Sequence, residues 1–292
     1  MKTNIVVTGS TGFIGKNLLE KLAERSKYCN ITCIIRETSK TKYLKKYPVK
    51  IALWKDSPKF IRNADYILHL AAEIIHKDKT KYKNNIDMMS FLLSKVKNNR
   101  LKKLVFVSTY LAGIDGSDYG ASKKFAEDIL IRSNQDYIIL RPSVVYGQHD
   151  TNNISALHNL IKKSPVIPLF NSKASVQPVF VDDLVKVLLM CIDKKIRNGI
   201  YYVAGSEMID FKLLINKLCS IEKKKRLIIP IPSWLSYLLV YIYEKISANP
   251  KFTSEQLRYW GKTSFIPYDN VKDVFGVELT SLDKGLVQTF SL

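Results

Sequence analysis

The sequence predicts an α/β fold: a doubly wound parallel sheet followed by a smaller, mostly helical C-terminal lobe. Three observations carry this. Short apolar runs alternate with longer amphipathic stretches up to Gly147. A glycine-rich turn joins the first run to the first amphipathic stretch. After Gly147 the rhythm changes to loop signals, one helix and short extended pieces. With 292 residues, 46% of them hydrophobic, the chain can bury a sizeable core as one large unit with a lobe.

The expected strands are NIVVTG (4–9), ITCIIR (31–36), VKIALW (49–54), DYILHLA (65–71), KLVFVST (103–109) and DYIILRP (136–142). Continuous Val/Ile runs suit strands covered on both faces. Between them, IGKNLLEKLAE (14–24) and MMSFLLSKVKN (88–98) place apolar residues three and four apart, the helical period. Such alternation builds a parallel sheet with helices on both sides. Further on, DDLVKVLLMCID (182–193) and DFKLLINKLCSIE (210–222) read as helices, each opened by an Asp that can cap. Asp182 and Asp183 are therefore a cap and a charge at a helix start rather than an acid–base pair. The longest apolar stretch, Ile229–Tyr243, contains two prolines and two serines. It falls short of the roughly 20 residues of a membrane-crossing helix. It is expected to be a buried or lobe-packing helix; the alternative is a membrane-facing or lipid-binding one. The sheet unit is expected over 1–147, completed by about 176–204, with the lobe formed by 148–175 and 205–292.

Lys and Arg number 46 against 26 acids, a formal net charge of +20. That favours anionic partners. The basic residues are scattered and are not interleaved with aromatics, so no specific nucleic-acid partner is expected. Cys29, Cys33, Cys191 and Cys219 form no CxxC pair, and the histidines do not cluster. Neither a metal site nor a disulfide framework is expected. No signal peptide is visible, because the glycines follow Ile5-Val6-Val7 at once. A reduced, cytoplasmic setting is the expectation.

Gly9, Gly12 and Gly15 form G-x-x-G-x-x-G between a strand and a helix in the first unit of the alternating chain. That context points to dinucleotide binding: glycines permit the tight turn, backbone N–H groups approach the pyrophosphate, and the helix N-terminus faces its charge. The end of the second strand usually selects the cofactor. Here Arg36 favours NADP, while Glu37 keeps NAD open.

The stretch 105–128 carries the chemistry. A strand ends at Ser108-Thr109, and a short loop leads to Tyr119-Gly-Ala-Ser-Lys123 at a helix start. Positions i and i+4 share a helix face. A nearby Lys⁺ and an oxidised nicotinamide both lower a tyrosine's pKa. Tyr119 can then exchange a proton with a substrate hydroxyl near neutral pH, while Ser108 or Thr109 orients that oxygen; the nicotinamide carries the hydride.

These residues resemble the short-chain dehydrogenase/reductase superfamily. More closely they resemble its extended branch, the NAD(P)-dependent epimerase/dehydratase family, over nearly the whole chain. The resemblance implies a Rossmann-type sheet with a C-terminal substrate lobe. TGSTGFIG (8–15) matches the family's glycine motif and assigns Gly9, Thr11, Gly12, Phe13, Ile14 and Gly15 to the cofactor. DYILHLAAEI (65–74) matches the fourth-strand motif and places Leu70, Ala71 and Ala72 beside it. YGASK (119–123) matches the active-site motif, in which Lys123 also holds the nicotinamide ribose. LRPSVVYG (140–147) matches the sixth-strand motif, with Pro142 and Ser143 flanking the nicotinamide. The segments 177–192 and 199–218 match later family regions.

The chain also departs from the pattern. The loop between Thr109 and Tyr119 is short, and Val144 stands where many nucleotide-sugar members carry a substrate-binding Asn. Asp56 is the candidate adenine contact. His69 is read as structural, and His76, His149 and His158 show no partner in the sequence.

Three functions are implied. The leading one is an NAD(P)-dependent enzyme that epimerises, dehydrates or reduces a sugar nucleotide, with Arg141 or basic residues after Gly147 meeting the substrate diphosphate. The second is an NADP-dependent reductase or dehydrogenase of a hydrophobic alcohol or ketone, with an aromatic site near Trp234, Tyr237 and Tyr241. The third is a non-catalytic nicotinamide-binding scaffold. Fold alone does not choose among them. The resemblance also implies a homodimer through helices containing Met88–Asn98 and Tyr119–Arg132.

Overall fold

A computed structural model describes residues 2–74, 79–96, 100–114, 117–170, 174–247, 254, 257, 265–266 and 271–291. The chain divides into two compact units. The first comprises Met1–Pro142, Val181–Val203 and Asp269–Glu278; the second comprises Ser143–Phe180, Ala204–Tyr268 and Leu279–Leu292.

In the first unit the strands are β1 (Thr3–Thr8), β2 (Cys29–Ile35), β3 (Lys50–Leu53), β4 (Tyr66–His69), β5 (Lys103–Val107), β6 (Tyr137–Pro142) and β11 (Gly199–Val203). All pair in parallel, in the order β3-β2-β1-β4-β5-β6-β11. The helices are α1 (Phe13–Ala23), α2 (Pro58–Arg62), α3 (Lys83–Lys95), α4 (Asp118–Ile131) and α6 (Val181–Asp193). One sheet face carries Val6, Ile67, Leu104, Phe106 and Ile139 against Met89 and Leu92 of α3 and Ala126 and Leu130 of α4. The alternate residues Val7, Leu68, Val105 and Ile138 are also fully buried. By the pleat they face the other side, where α1 and α6 pack together. From β1 the chain builds outward through β2 and β3, then returns to add β4 on the opposite side of β1. The loops leaving the C-terminal ends of β1 and β4 therefore diverge, and a ligand crevice forms at such a switch point.

The second unit holds α5 (Asn153–Lys163), α7 (Phe211–Ile221), α8 (Ser233–Ile246) and α9 (Leu282–Phe290). It also has three two-stranded ribbons: β7 (Val145–Tyr146) with β10 (Val179–Phe180), β9 (Ser175–Val176) with β12 (Ile209–Asp210), and β8 (Val166–Phe170) with β13 (Leu227–Ile231). Helices make up most of the regular structure of this unit, as expected; the ribbons are what the sequence did not announce. Strands of two to five residues are too short to print a period in the sequence. Residues 143–147 belong to this unit because Val145 and Tyr146 pair with Val179 and Phe180. The Tyr146 hydroxyl also donates to the Leu282 carbonyl.

Asp210 caps α7, its side chain accepting from the Leu213 N–H at 2.7 Å. Asp182 and Asp183 occupy the first turn of α6, where carboxylates suit the helix dipole. One expectation fails. The apolar stretch that becomes α8 is not buried: only Ser236 and Val240 are.

Candidate active site

The glycine turn leaves β1 with Gly9 at φ +73°, a left-handed conformation that side chains resist. A Cβ at Gly9 would lie 2.5 Å from the Ala71 nitrogen, and one at Gly15 would lie 2.2 Å from the Gly9 oxygen. Chain-on-chain approach thus demands both glycines. At Gly12 a Cβ would meet only the Gly9 oxygen, at 3.2 Å, and is otherwise in open space. The missing side chain there leaves the start of α1 open. No acid occupies the first turn of α1, and its N-cap makes no side-chain bond. Its first N–H groups have no acceptor within the helix, an arrangement that suits an anion.

One cleft is lined by Gly9, Thr11, Gly12, Phe13, Ile14, Gly15, Arg36, Leu70, Ala71 and Ala72, ten residues the sequence assigns to the cofactor. Ile34, Ile35, Trp54, Glu73 and Met88 line it too. A tight glycine cradle with an open helix end and apolar walls fits a dinucleotide. Arg36 forms an ion pair with Glu73, a partner the sequence did not reveal. Glu37 lies outside the lining and pairs with Lys55 at 2.8 Å. Asp56 is not among the lining residues, whereas Trp54 is. A second, basic cavity shares Thr11 and is lined by Lys16, Lys40, Lys42 and Lys46 around Tyr43.

Tyr119 and Lys123 sit in the first turns of α4. Ser117 caps that helix by accepting from the Gly120 N–H at 2.9 Å. A Cβ at Gly120 would come 2.4 Å from the Leu111 oxygen. That glycine therefore lets the turn after β5 press against the start of α4, bringing Thr109 and Tyr119 to one region. Asp115 and Gly116 of this loop lie outside the described residues.

Thr109 is buried, and its hydroxyl oxygen accepts from the Leu111 N–H at 3.3 Å. Among the described residues no acceptor takes its own proton. Ser108 differs: its hydroxyl donates to Glu127 at 2.5 Å. Glu127, fully buried, also holds Arg141 through two bonds of 3.0 and 2.6 Å. Arg141 in turn donates to the Tyr202 hydroxyl at 2.7 Å. The expectation that Arg141 meets a substrate diphosphate is thereby corrected, since its guanidinium is spent on Glu127 inside the fold.

Lys123 is 1% exposed. Its ammonium lies 4.1 Å from the Phe106 ring centroid. Burial pushes its pKa down to about 7, opposed by the charge of Glu127 one turn on. Burial, with Tyr82 beside it, pushes the Tyr119 pKa up; the two rings are 6.1 Å apart. Phe106 also stacks on His69, 5.3 Å between centroids. His69 Nδ1 is 2.6 Å from the Thr8 hydroxyl, which also accepts from the Ala71 N–H. Burial, then the neighbouring Lys123, lowers the His69 pKa to about 3. His69, fully buried and outside the cleft lining, is thus a neutral structural residue, as read from the sequence.

Asn85, buried on α3, was missed. It accepts from the Glu73 N–H at 2.8 Å and donates to the Glu73 carbonyl and to Ser122 of α4. It joins this cleft to the Tyr119 helix. Pro142 ends β6, and Ser143, in the second unit, donates to the Gln177 carbonyl; neither lines the cleft. His158 has a partner after all, Glu222 at 2.6 Å. His76 lies outside the described residues.

A family model described as the NAD dependent epimerase/dehydratase family matches residues 5–205. A UDP-glucose 4-epimerase of Vibrio cholerae is 25% identical over 284 residues, covering 87% of this chain and 86% of that protein. A UDP-2-acetamido-2,6-beta-L-arabino-hexul-4-ose reductase of Pseudomonas aeruginosa is 30% identical over 207 residues, covering 67% of this chain and 51% of that protein. Among solved structures, a Bacillus cereus UDP-glucuronic acid 4-epimerase in complex with UDP-glucuronic acid and NAD superposes with a TM-score of 0.77. It is 20% identical, and the match covers 99% of this chain and 98% of that one.

Proposed function

Since the chain belongs to the NAD-dependent epimerase/dehydratase family, we propose that it uses NAD(P) to epimerise, dehydrate or reduce a sugar nucleotide. The observation that carries this is the pairing of Tyr119 with a buried Lys123 on one face of α4, a helix that Asn85 ties to the loop beside the dinucleotide cleft. Both curated relatives above are sugar-nucleotide enzymes by name, which supports the substrate class.

In this reading the first N–H groups of α1 hold the pyrophosphate, with Gly12 giving it room. The bound nicotinamide supplies hydride transfer. Tyr119 moves the proton at the reacting hydroxyl, and Thr109 donates its free proton to that oxygen. Lys123 holds the nicotinamide ribose and, when charged, draws the Tyr119 pKa down from the raised value that burial imposes. Ser108, bonded to Glu127, holds β5 to α4 rather than touching substrate.

NADP is the preferred cofactor here. Arg36 borders the cleft, and the lysine-lined cavity beside Thr11 adds positive charge. A 2′-phosphate would draw Arg36 from Glu73. Arg36→Ala should weaken NADP binding more than NAD binding in a fluorescence titration; equal losses would defeat the assignment. Phe125, 60% exposed on α4, supports a homodimer through α3 and α4; Lys97 and Asn98 of the expected interface lie outside the described residues. Four free thiols suit a reducing, cytoplasmic setting. Trp234, Tyr237 and Tyr241 are exposed on α8, so the hydrophobic-substrate reading gains no enclosed site from them.

The test is a turnover screen with NAD⁺, NADP⁺ and their reduced forms against UDP-, GDP- and dTDP-sugars, including 4-keto sugars. Products are read by mass and anion-exchange retention. A new sugar nucleotide should form, and Tyr119→Phe should lower its rate about 100-fold or more while keeping cofactor affinity. Unchanged turnover in that variant would remove Tyr119 from the mechanism. Cofactor binding with no conversion would shift the reading to a hydrophobic substrate or an idle scaffold.

A further inference from the structure

Helix α8 is turned inside out for a soluble protein. Its inward side sinks Ser236 and Val240, while Trp234 (70% exposed), Leu238, Tyr241, Ile242 and Ile246 (79% exposed) share an outer face at helical spacing. Leu227 and Ile229 of β13, just upstream, are exposed as well. Apolar patches of this kind mark interaction surfaces.

The charges around the patch say what covers it. Lys223 and Lys225 are exposed immediately before β13. Lys245 lies among the patch residues, its ammonium 5.4 Å from the Tyr241 ring centroid. The one acid between Lys223 and Ile246 is Glu244, and its carboxylate is taken up by the Ser254 N–H and hydroxyl. Tryptophan and tyrosine with lysine beside an aliphatic stripe is the composition of a helix lying in a bilayer interface. At 14 residues the helix is about 21 Å long, against about 30 Å of hydrocarbon to cross. No helix among the described residues is long and apolar enough to span. A second copy is a poorer occupant. A two-fold contact would set this basic rim against itself in a chain of net charge +20, whereas anionic headgroups gain from the same lysines.

We propose that α8 and β13 form an interfacial anchor that docks this protein on an anionic membrane surface.

The test is flotation of the full chain with vesicles. With equal parts phosphatidylcholine and phosphatidylglycerol the protein should float, with pure phosphatidylcholine much less so, and added salt should weaken binding. Leu238→Ser/Ile242→Ser should lower the floated fraction at least about ten-fold, with circular dichroism and cofactor affinity unchanged. If that double variant does not fold, Trp234→Ser, at a side chain that packs little, carries the test. Failure to float with the anionic vesicles would overturn the proposal, as would flotation indifferent to these substitutions. A wild-type dimer in light scattering that the substitutions turn into a monomer would give the face to a second copy and overturn it as well.

Discussion

Lys123 is a cation taken out of water, held over an aromatic ring and kept near neutrality. Its ordinary pKa of 10.5 falls to about 7 on folding. Between those values the unfolded chain binds the extra proton, so folding stability rises with pH. The buried thiols oppose this at higher pH, because Cys33 and Cys191 keep protons that the unfolded chain sheds. The window for Lys123 therefore runs from about pH 7 to about pH 8.5, where ordinary thiols begin to ionise. Urea unfolding of the cofactor-free protein should show stability climbing there by up to about 1.4 kcal/mol per pH unit. Lys123→Met should flatten the climb, and an undiminished slope would show that Lys123 stays charged in the fold. Tyr119 and Lys123 were legible in the sequence because their spacing of four is a local signal. Asn85 was not, since its partners Glu73 and Ser122 lie 12 and 37 residues away. Glu127 could have been found as the acid one turn after Lys123; its hold on Arg141 could not, because that pairing depends on the order of the strands.

At the scale of elements, the glycine turn separates two kinds of necessity. Gly15 is demanded by the protein, for a Cβ would strike the Gly9 oxygen at 2.2 Å. Gly12 is constrained far less by the protein, since a Cβ there would meet a single atom, the Gly9 oxygen, at 3.2 Å; in the reading above it is demanded by the ligand. Gly15→Ala should therefore destabilise the fold by about 1–3 kcal/mol, the scale of forced overpacking. Gly12→Ala should cost less than about 1 kcal/mol in stability yet weaken cofactor binding about ten-fold or more, a change of about 1.4 kcal/mol. Urea unfolding and a cofactor titration separate the two; identical behaviour would deny Gly12 its role at the pyrophosphate. The sheet was legible because buried parallel strands are apolar throughout and each of the first five is followed by a turn or helix signal. Helix α8 was legible as a helix and not by its face. Its apolar residues surround the axis, and periodicity cannot say which side meets the fold. The ribbons of the second unit are too short to leave any pattern.

At the scale of the whole molecule, buried Ser108, Glu127 and Arg141 and the half-buried Tyr202 form a polar chain from the end of β5 through α4 and β6 to β11. The Arg141–Glu127 pair is 8% and 0% exposed in its side chains. Removing one partner strands the other without water. Glu127→Gln should cost about 3–5 kcal/mol, and Glu127→Met/Arg141→Met should recover part of it. Urea unfolding decides, and a loss under about 1 kcal/mol for the single variant would mean that the pair is not sealed from solvent. The β11 end of this chain also bears on how the protein is made. β11 covers the edge of β6, yet the ribosome finishes β6 and then threads out the first long segment of the second unit before Gly199 appears. At about 5–20 residues per second, that delay of roughly sixty residues lasts roughly three to twelve seconds. Throughout it the nascent sheet presents a bare strand edge, a template for pairing with neighbouring chains. The growing polypeptide is therefore most vulnerable to aggregation midway through its own translation, and chaperone demand should peak there rather than at its end.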